Sequence, residues 1–457
     1  MHYTINEDTI VALASGAGQA AIGMIRLSGP QSIAIADKVF SGSDLKTQAT
    51  HTIQYGYIKD KDETIDEVML AIFKAPRSYT TEDIVEITCH GSPYIEERII
   101  ELLVSKGARL AQPGEFTFRA FINGRIDLSQ AEAVADLIAS SSKASHQLAL
   151  QQMRGGFSGE IKELRQQLIQ FASLIELELD FSEEDVEFAD RKSLTDLLEK
   201  IDDKIKELIE SFKLGNVLKE GIPTVIAGRP NAGKSTLLNN LLKEERAIVS
   251  DIPGTTRDTI EEVIRLEGIP FRLIDTAGIR EAADTIEAIG VERTMEKIEQ
   301  SAILIYLFDA QSTTAEELQK DVDKLKSDNI HFILVGNKID KIEDEELQKF
   351  RDFENVVYIS SLKNENITAL STQMLNFVKT ESKKEYSTII SNNRHVEALV
   401  KAGEAITEVR SGIETKVSGE MISLDIRRAL DHLGEISGEV STEDLLGEIF
   451  GSFCIGK

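Results

Sequence analysis

GRPNAGKST, residues 228–236, decides the fold. The spacing G-x-x-x-x-G-K-[ST] has a function only where a buried strand turns into a helix. Here the apolar run TVIAG (224–228) leads into it and STLLNNLL (235–242) leads out. Gly228 and Gly233 let the loop curl until its N–H groups face one point, and the helix amino end adds its dipole. Lys234 brings a point charge to β- and γ-phosphates, and Ser235 a hydroxyl to Mg2+.

Working outward, apolar strands alternate with helical segments from Gly221 to about residue 378 (FRLIDTAG, AILIYLFDA, HFILVGNK, VVYIS). This alternation predicts an α/β domain with a doubly wound, mainly parallel sheet. Three more motifs fall at strand ends. DTAG (275–278) puts Asp275 near a Mg2+ shell and the Gly278 amide near a γ-phosphate. NKID (337–340) supplies Asp340, whose carboxylate can accept from the N1–H and N2–H2 edge of guanine, a donor pair that adenine lacks. ISSLK (359–363) lies where a last loop would cover the base. Nucleotide contacts are thus expected along Asn231, Ala232, Gly233, Lys234, Ser235 and Thr236. The later motifs add Asp275, Thr276, Ala277, Gly278, Asn337, Lys338, Asp340, Ser360 and Ser361.

Between the first two motifs, SDIPGTTRDT (250–259) is polar, breaks at Pro253-Gly254 and is too long for a tight turn. It reads as a switch loop of Ser250, Asp251, Ile252, Pro253, Gly254, Thr255 and Thr256, in which Thr256 or Thr255 would meet Mg2+ while a γ-phosphate is present. After Gly278 stands Ile279, which cannot orient an attacking water. The polar candidates to replace it are Arg280, Glu281, Asp284 and Glu287, and the residues alone do not choose among them.

Elsewhere the pattern differs. Residues 1 to about 120 mix short β-like runs with one clear helix, SPYIEERIIELLVSKG, and read as α+β. From about residue 127, and again after SKKEYS, apolar residues recur at three and four, as in Ile161, Leu164, Leu168, Phe171 and Ile175, which predicts helices packed as a bundle. The α/β segment is therefore expected to be inserted into a helical domain. The expected boundaries are 1–121 (α+β), 122–217 (helical, first part), 218–379 (inserted α/β) and 380–457 (helical, second part).

Composition limits the partners. Lys and Arg total 51 against 78 Asp and Glu, a formal charge of -27, so the surface as a whole repels nucleic acid. Binding to RNA would need a local basic patch or a basic partner. No apolar run approaches the roughly 20 residues of a membrane span, and MHYTINEDTIVALAS lacks a basic segment ahead of an apolar one. A cytoplasmic protein is expected. Two cysteines, Cys89 and Cys454, form no disulfide framework and read as free thiols.

With GRPNAGKST, SDIPGTTRDT, DTAGIR, NKID and the terminal FCIGK together, the chain resembles the MnmE (TrmE) family of tRNA-modification GTPases over essentially its whole length. The resemblance implies an amino-terminal folate-binding and dimerisation domain. It implies that Asn231, Ser250, Ile252 and Thr255 hold K+, that Ser235 and Thr256 bind Mg2+, and that Glu287 positions the water in GTP hydrolysis. It further implies a homodimer that forms a heterotetramer with the flavoprotein MnmG. Together they would add a (carboxymethyl)aminomethyl group at C5 of the wobble uridine of certain tRNAs, with reduced folate (5-formyl- or 5,10-methylene-tetrahydrofolate) as one-carbon source. The folate positions matching the family are Arg26, Glu86, Arg125 and Lys457, and Cys454 would take part in the modification. Where the family often has lysine, this chain has Arg125. Two other readings compete: a regulatory GTP switch in ribosome assembly with no RNA-modifying role, and a folate-dependent transferase acting alone.

Overall fold

A computed structural model describes residues 8–180, 191–245, 262–274, 301–325, 330–381, 388–415, 417–451, 453 and 455–456. The chain divides into two units, one of residues 1–139, 149–205 and 397–457, the other of residues 140–148 and 206–396.

The first unit opens with a seven-stranded sheet of β1 (Ile10–Leu13), β2 (Ile22–Ser28), β3 (Phe40–Ser41), β4 (Thr52–Asp60), β5 (Glu63–Phe73), β6 (Ile84–His90) and β7 (Arg109–Leu110). The spatial order is β3-β4-β5-β6-β2-β1-β7. Alternation is strict where one face is covered: Val68, Leu70 and Ile72 of β5, with Val85 and Ile87 of β6, point into one core. The helix Pro93–Ser105 closes that core with Ile99, Leu102 and Leu103, its first residue a proline that needs no N–H there. The β4–β5 hairpin was not singled out in the sequence. Its turn, at Lys61-Asp62, carries no Asn-Gly or Asp-Gly signal, and Lys61 takes φ 56°.

Helices follow: Glu115–Ile122, Leu128–Ala139, Gly156–Asp180, Asn393–Glu414, Gly419–Ser437 and Glu443–Gly451. The stripe on Gly156–Asp180 is a core stripe: Ile161, Leu168 and Ile175 are fully buried, with Leu164 and Phe171 half-buried. Gly419–Ser437 packs along it, burying Ile422, Ile426 and Leu433, and Arg165 donates to the Leu430 carbonyl at 3.2 Å. The last helix is capped by the Thr442 hydroxyl, which accepts from Leu445 N at 3.3 Å. Near its end Phe450 meets Phe118 edge-on at 5.3 Å, and past it Phe453 packs on Phe450 at 5.5 Å. Gly456 is buried with φ 95°, and a Cβ there would lie 2.1 Å from the Leu13 carbonyl oxygen, so that position admits only glycine.

The second unit contains a six-stranded sheet of β8 (Ile222–Gly228), β9 (Glu262–Leu266), β10 (Ile269–Leu273), β11 (Ile303–Asp309), β12 (His331–Asn337) and β13 (Val357–Tyr358), ordered β13-β12-β11-β8-β10-β9. All neighbours are parallel except β9 and β10. β11 is buried from Ile303 to Phe308, the continuous apolar run that a strand covered on both faces requires. Helices Lys234–Glu245 and Ile367–Glu381 pack on one core, and Ala315–Leu325 on another. β9 is the strand that the sequence reading passed over; it is an edge strand joined to β10 by the tight turn Glu267-Gly268, with φ 51° and 82°. The fold class is thus α+β, helical and doubly wound α/β in one chain. Among the described residues no helix is long and apolar enough to cross a membrane.

Candidate functional site

β8 ends at Gly228, and the helix Lys234–Glu245 starts six residues later. Between them the backbone takes left-handed φ at Gly228 (152°), Asn231 (62°) and Gly233 (105°). A Cβ would lie 2.1 Å from Leu307 O at Gly228 and 2.2 Å from Asn337 Nδ2 at Gly233. Both glycines are therefore required by close approach, while asparagine tolerates the third position.

Lys234 is folded over this loop. Its Nζ donates to Gly228 O at 2.7 Å and Arg229 O at 3.1 Å. Burial pushes its pKa below the ordinary lysine value. An ammonium desolvated against neutral carbonyls gains from an arriving polyanion. Ser235 and Thr236 are exposed residues that line the same cavity, next to Lys234.

The cavity, about 490 Å³, runs from Gly233, Lys234 and Ser235 to Asn337, Asp340 and Ser361. At its far end Ser360 Oγ donates to Asp340 Oδ1 at 2.6 Å and accepts from Lys363 N at 3.2 Å. That hydroxyl holds the Asp340 carboxyl below its ordinary value, which keeps it an acceptor. Lys338 sits in the left-handed region at φ 67°, and its Nζ pairs with Asp309 Oδ2 at 2.7 Å.

Asn337 has a role that the sequence reading did not give it. Only 2% exposed, it donates from Nδ2 to Ala232 O at 2.7 Å and accepts at Oδ1 from Ser361 N at 2.9 Å. One amide thus ties the phosphate loop to the base loop. Arg229 was also missed: its guanidinium meets Asp321 at 2.7 Å and Glu317 at 2.8 Å, both on Ala315–Leu325. The available signal was a helix with acids one turn apart opposite an arginine in the phosphate loop.

A second cavity belongs to the first unit. The β2–β6 register sets Arg26 opposite Glu86, and the guanidinium reaches Glu86 Oε1 at 2.8 and 2.9 Å. Arg26 lies 5.6 Å from the Tyr79 ring centroid and Arg125 lies 5.3 Å from it. Arg125 also donates to Ser78 O. Glu86, Tyr79 and Arg125 line a cavity of about 580 Å³. Its wall, residues 76–82, is held from behind: buried Arg119 pairs with Asp8 at 2.6 Å and Glu82 at 3.1 Å, and Asn123 donates to Thr80 O at 2.7 Å. None of these supports was read from the sequence.

Ser250, Asp251, Ile252, Pro253, Gly254, Thr255, Thr256, Asp275, Thr276, Ala277, Gly278, Ile279, Arg280, Glu281, Asp284, Glu287, Cys454 and Lys457 lie outside the described residues. Cys89 is a free, buried thiol, pushed up to about 12 by burial and then by Asp66 and Glu96, so it stays protonated at neutral pH.

A family model described as the MnmE helical domain matches residues 128–454, and one described as the GTP-binding protein TrmE N-terminus matches residues 9–125. The chain is 56% identical over 454 residues to a tRNA modification GTPase MnmE of Cytophaga hutchinsonii, covering 99% of both chains. It is 51% identical over 461 residues to that of Flavobacterium psychrophilum, covering 99% of this chain and 100% of the relative. With that of Bacteroides thetaiotaomicron it shares 48% identity over 467 residues, again 99% and 100%.

Proposed function

The chain belongs to the MnmE family of tRNA modification GTPases, and from that premise we propose that it hydrolyses GTP in coupling with chemistry at C5 of the wobble uridine. The observation that carries the reading is a single cavity with Lys234 at one end and the Ser360-held carboxylate of Asp340 at the other. Such a cavity orients a guanine nucleotide by its base and its phosphates at once.

In this reading the loop N–H groups and Lys234 bind the phosphates, Asn337 keeps both loops in register, and Asp340 selects guanine. Ser235, which lines the cavity, would be one Mg2+ ligand and Thr256 the second, and the ion would supply positive charge to the phosphates. Asn231, held in the left-handed region beside that loop, fits a K+ ligand, joined by Ser250, Ile252 and Thr255. Glu287 would position the attacking water. Glu86, with its hydrogen-bonding carboxylate, and the cations Arg26 and Arg125 fit a ligand that has a donor-rich heterocycle and an acidic tail. That is reduced folate, the one-carbon donor, to whose binding Lys457 and to whose chemistry Cys454 would contribute.

Folate binding and dimerisation would fall to residues 1–121, a helical domain to 122–217 and 380–457, and GTP hydrolysis to 218–379. The working form would be a cytoplasmic homodimer in a heterotetramer with MnmG, which would supply the flavin and much of the basic surface that a chain of charge -27 lacks. Mass spectrometry of wobble nucleosides from cells without this chain tests the function. Loss of the C5 substituent is expected; fully modified tRNA would overturn the reading. Exchanging K+ for Na+ in a turnover assay should slow hydrolysis by orders of magnitude, and equal rates would remove the potassium site.

A further inference from the structure

The cavity beside Glu86 has more positive charge at its rim than its deep end can use. Ile84 and Ser78 are buried within it, Glu86 and Tyr79 half-buried, and His51, Arg77 and Arg125 exposed at the edge. Glu86 is the single acid among the lining residues, and it is already paired with Arg26. Among the described residues neither Arg77 nor Arg125 has a carboxylate partner, in a chain whose acids outnumber its bases by 27. Among the described residues these two stand without a carboxylate partner at the mouth of a cavity.

Both also belong to one wall of that cavity. Arg125 donates to the carbonyl of Ser78, the residue after Arg77, and is steered by Tyr79 beneath it, so its guanidinium belongs to the 76–82 wall as firmly as Arg77 does. Arg77 N donates to Lys74 O at 3.0 Å, which turns the chain at this point. Two guanidiniums on the lining of one cavity, each able to take a carboxylate bidentately, suit a ligand that carries carboxylates in series.

We propose that this cavity takes a folate with more than one γ-linked glutamate, Arg125 engaging the first carboxylates and Arg77 the next. This rests on the folate reading given above. The added glutamates form no covalent bond; they lengthen the residence of the ligand by charge-assisted contacts outside the ring pocket. A monoglutamate leaves Arg77 unused.

The experiment is calorimetric titration of the full-length protein with 5-formyl-tetrahydrofolate as the mono- and triglutamate, in wild type, Arg77→Ala and Arg77→Lys. The triglutamate should bind wild type about tenfold tighter than the monoglutamate, an advantage that shrinks as salt is raised. Arg77→Ala should erase that advantage and leave monoglutamate affinity within about twofold, because Arg77 is exposed and outside the ring pocket. Arg77→Lys should keep part of it. Equal affinities in wild type, or an advantage that survives Arg77→Ala, would overturn the tail anchor and leave the folate reading standing. If neither form bound wild type, the folate reading would fall, and the anchor with it.

Discussion

The two cavities are built on opposite plans. The cavity around Lys234 is made largely of backbone: two glycines that no side chain could replace, a loop turned by positive φ at Gly228, Asn231 and Gly233, and an amide, Asn337, that grips main-chain atoms on both sides. The cavity around Glu86 is made of side chains: a guanidinium on a carboxylate, two guanidiniums near a tyrosine, and a buried arginine bracing the wall. Backbone construction fails all at once when one atom intrudes. Side-chain construction fails contact by contact, so substitutions in the two places should differ in size.

The largest effect is expected from Gly228→Ala. A Cβ 2.1 Å from Leu307 O cannot be absorbed by a rotamer change, because the obstacle is backbone paired across the β8–β11 ladder. Binding of a fluorescent GDP analogue should fall on the order of 100-fold or more, with the melting temperature reduced as well. Near wild-type affinity would mean that the loop bends more freely than a backbone-built site allows.

The same contrast explains what could be read from the sequence. Backbone demands are local, so G-x-x-x-x-G-K-S announced the loop, the strand before it and the helix after it. The parallel sheet followed from apolar runs long enough to be buried on both faces. Asn337, by contrast, closes on Ala232 across 105 positions, and nothing near NKID signals that reach. Arg26 and Glu86 are 60 residues apart and meet through the β2–β6 register. Alternation tells which face a residue occupies, not which residue stands opposite, so this pair entered through family resemblance. The brace from Arg119 to Asp8 spans 111 positions and left no trace in the local pattern.

An intermediate effect is expected from Glu86→Gln. The amide keeps the shape but loses the charge that faces Arg26, whose side chain is 16% exposed. Affinity for 5-formyl-tetrahydrofolate should fall about 10- to 100-fold, the range for one hydrogen bond to a charged group. GTP turnover measured on the same preparation should be unchanged, since the substituted contact joins β2 to β6 and touches no part of the nucleotide cavity. A parallel loss of turnover would break the separation between the two plans.

The smallest effect should come from Asp309→Asn, which tests whether the contrast lies in the type of contact or in the cavity. Asp309 holds the Lys338 ammonium at 2.7 Å, a side-chain contact inside the backbone-built site. Burial pushes the Asp309 carboxyl up, but the Lys338 ammonium and the Gln311 N–H outweigh it and hold it below the ordinary carboxylate value. A depressed carboxylate gives its stabilisation in full above the unfolded pKa and loses it as pH falls through the folded one, so at neutral pH the contact is complete. Removing its charge frees Lys338 to swing away while the αL turn and the Asn337 amide still carry the loop. GDP affinity should then drop only about threefold, as for a partly exposed ion pair, and raised salt should narrow the gap between variant and wild type. A loss as large as that of Gly228→Ala would make Lys338 a structural member of the cradle, and the division between backbone-built and side-chain-built sites would have to be redrawn through this residue.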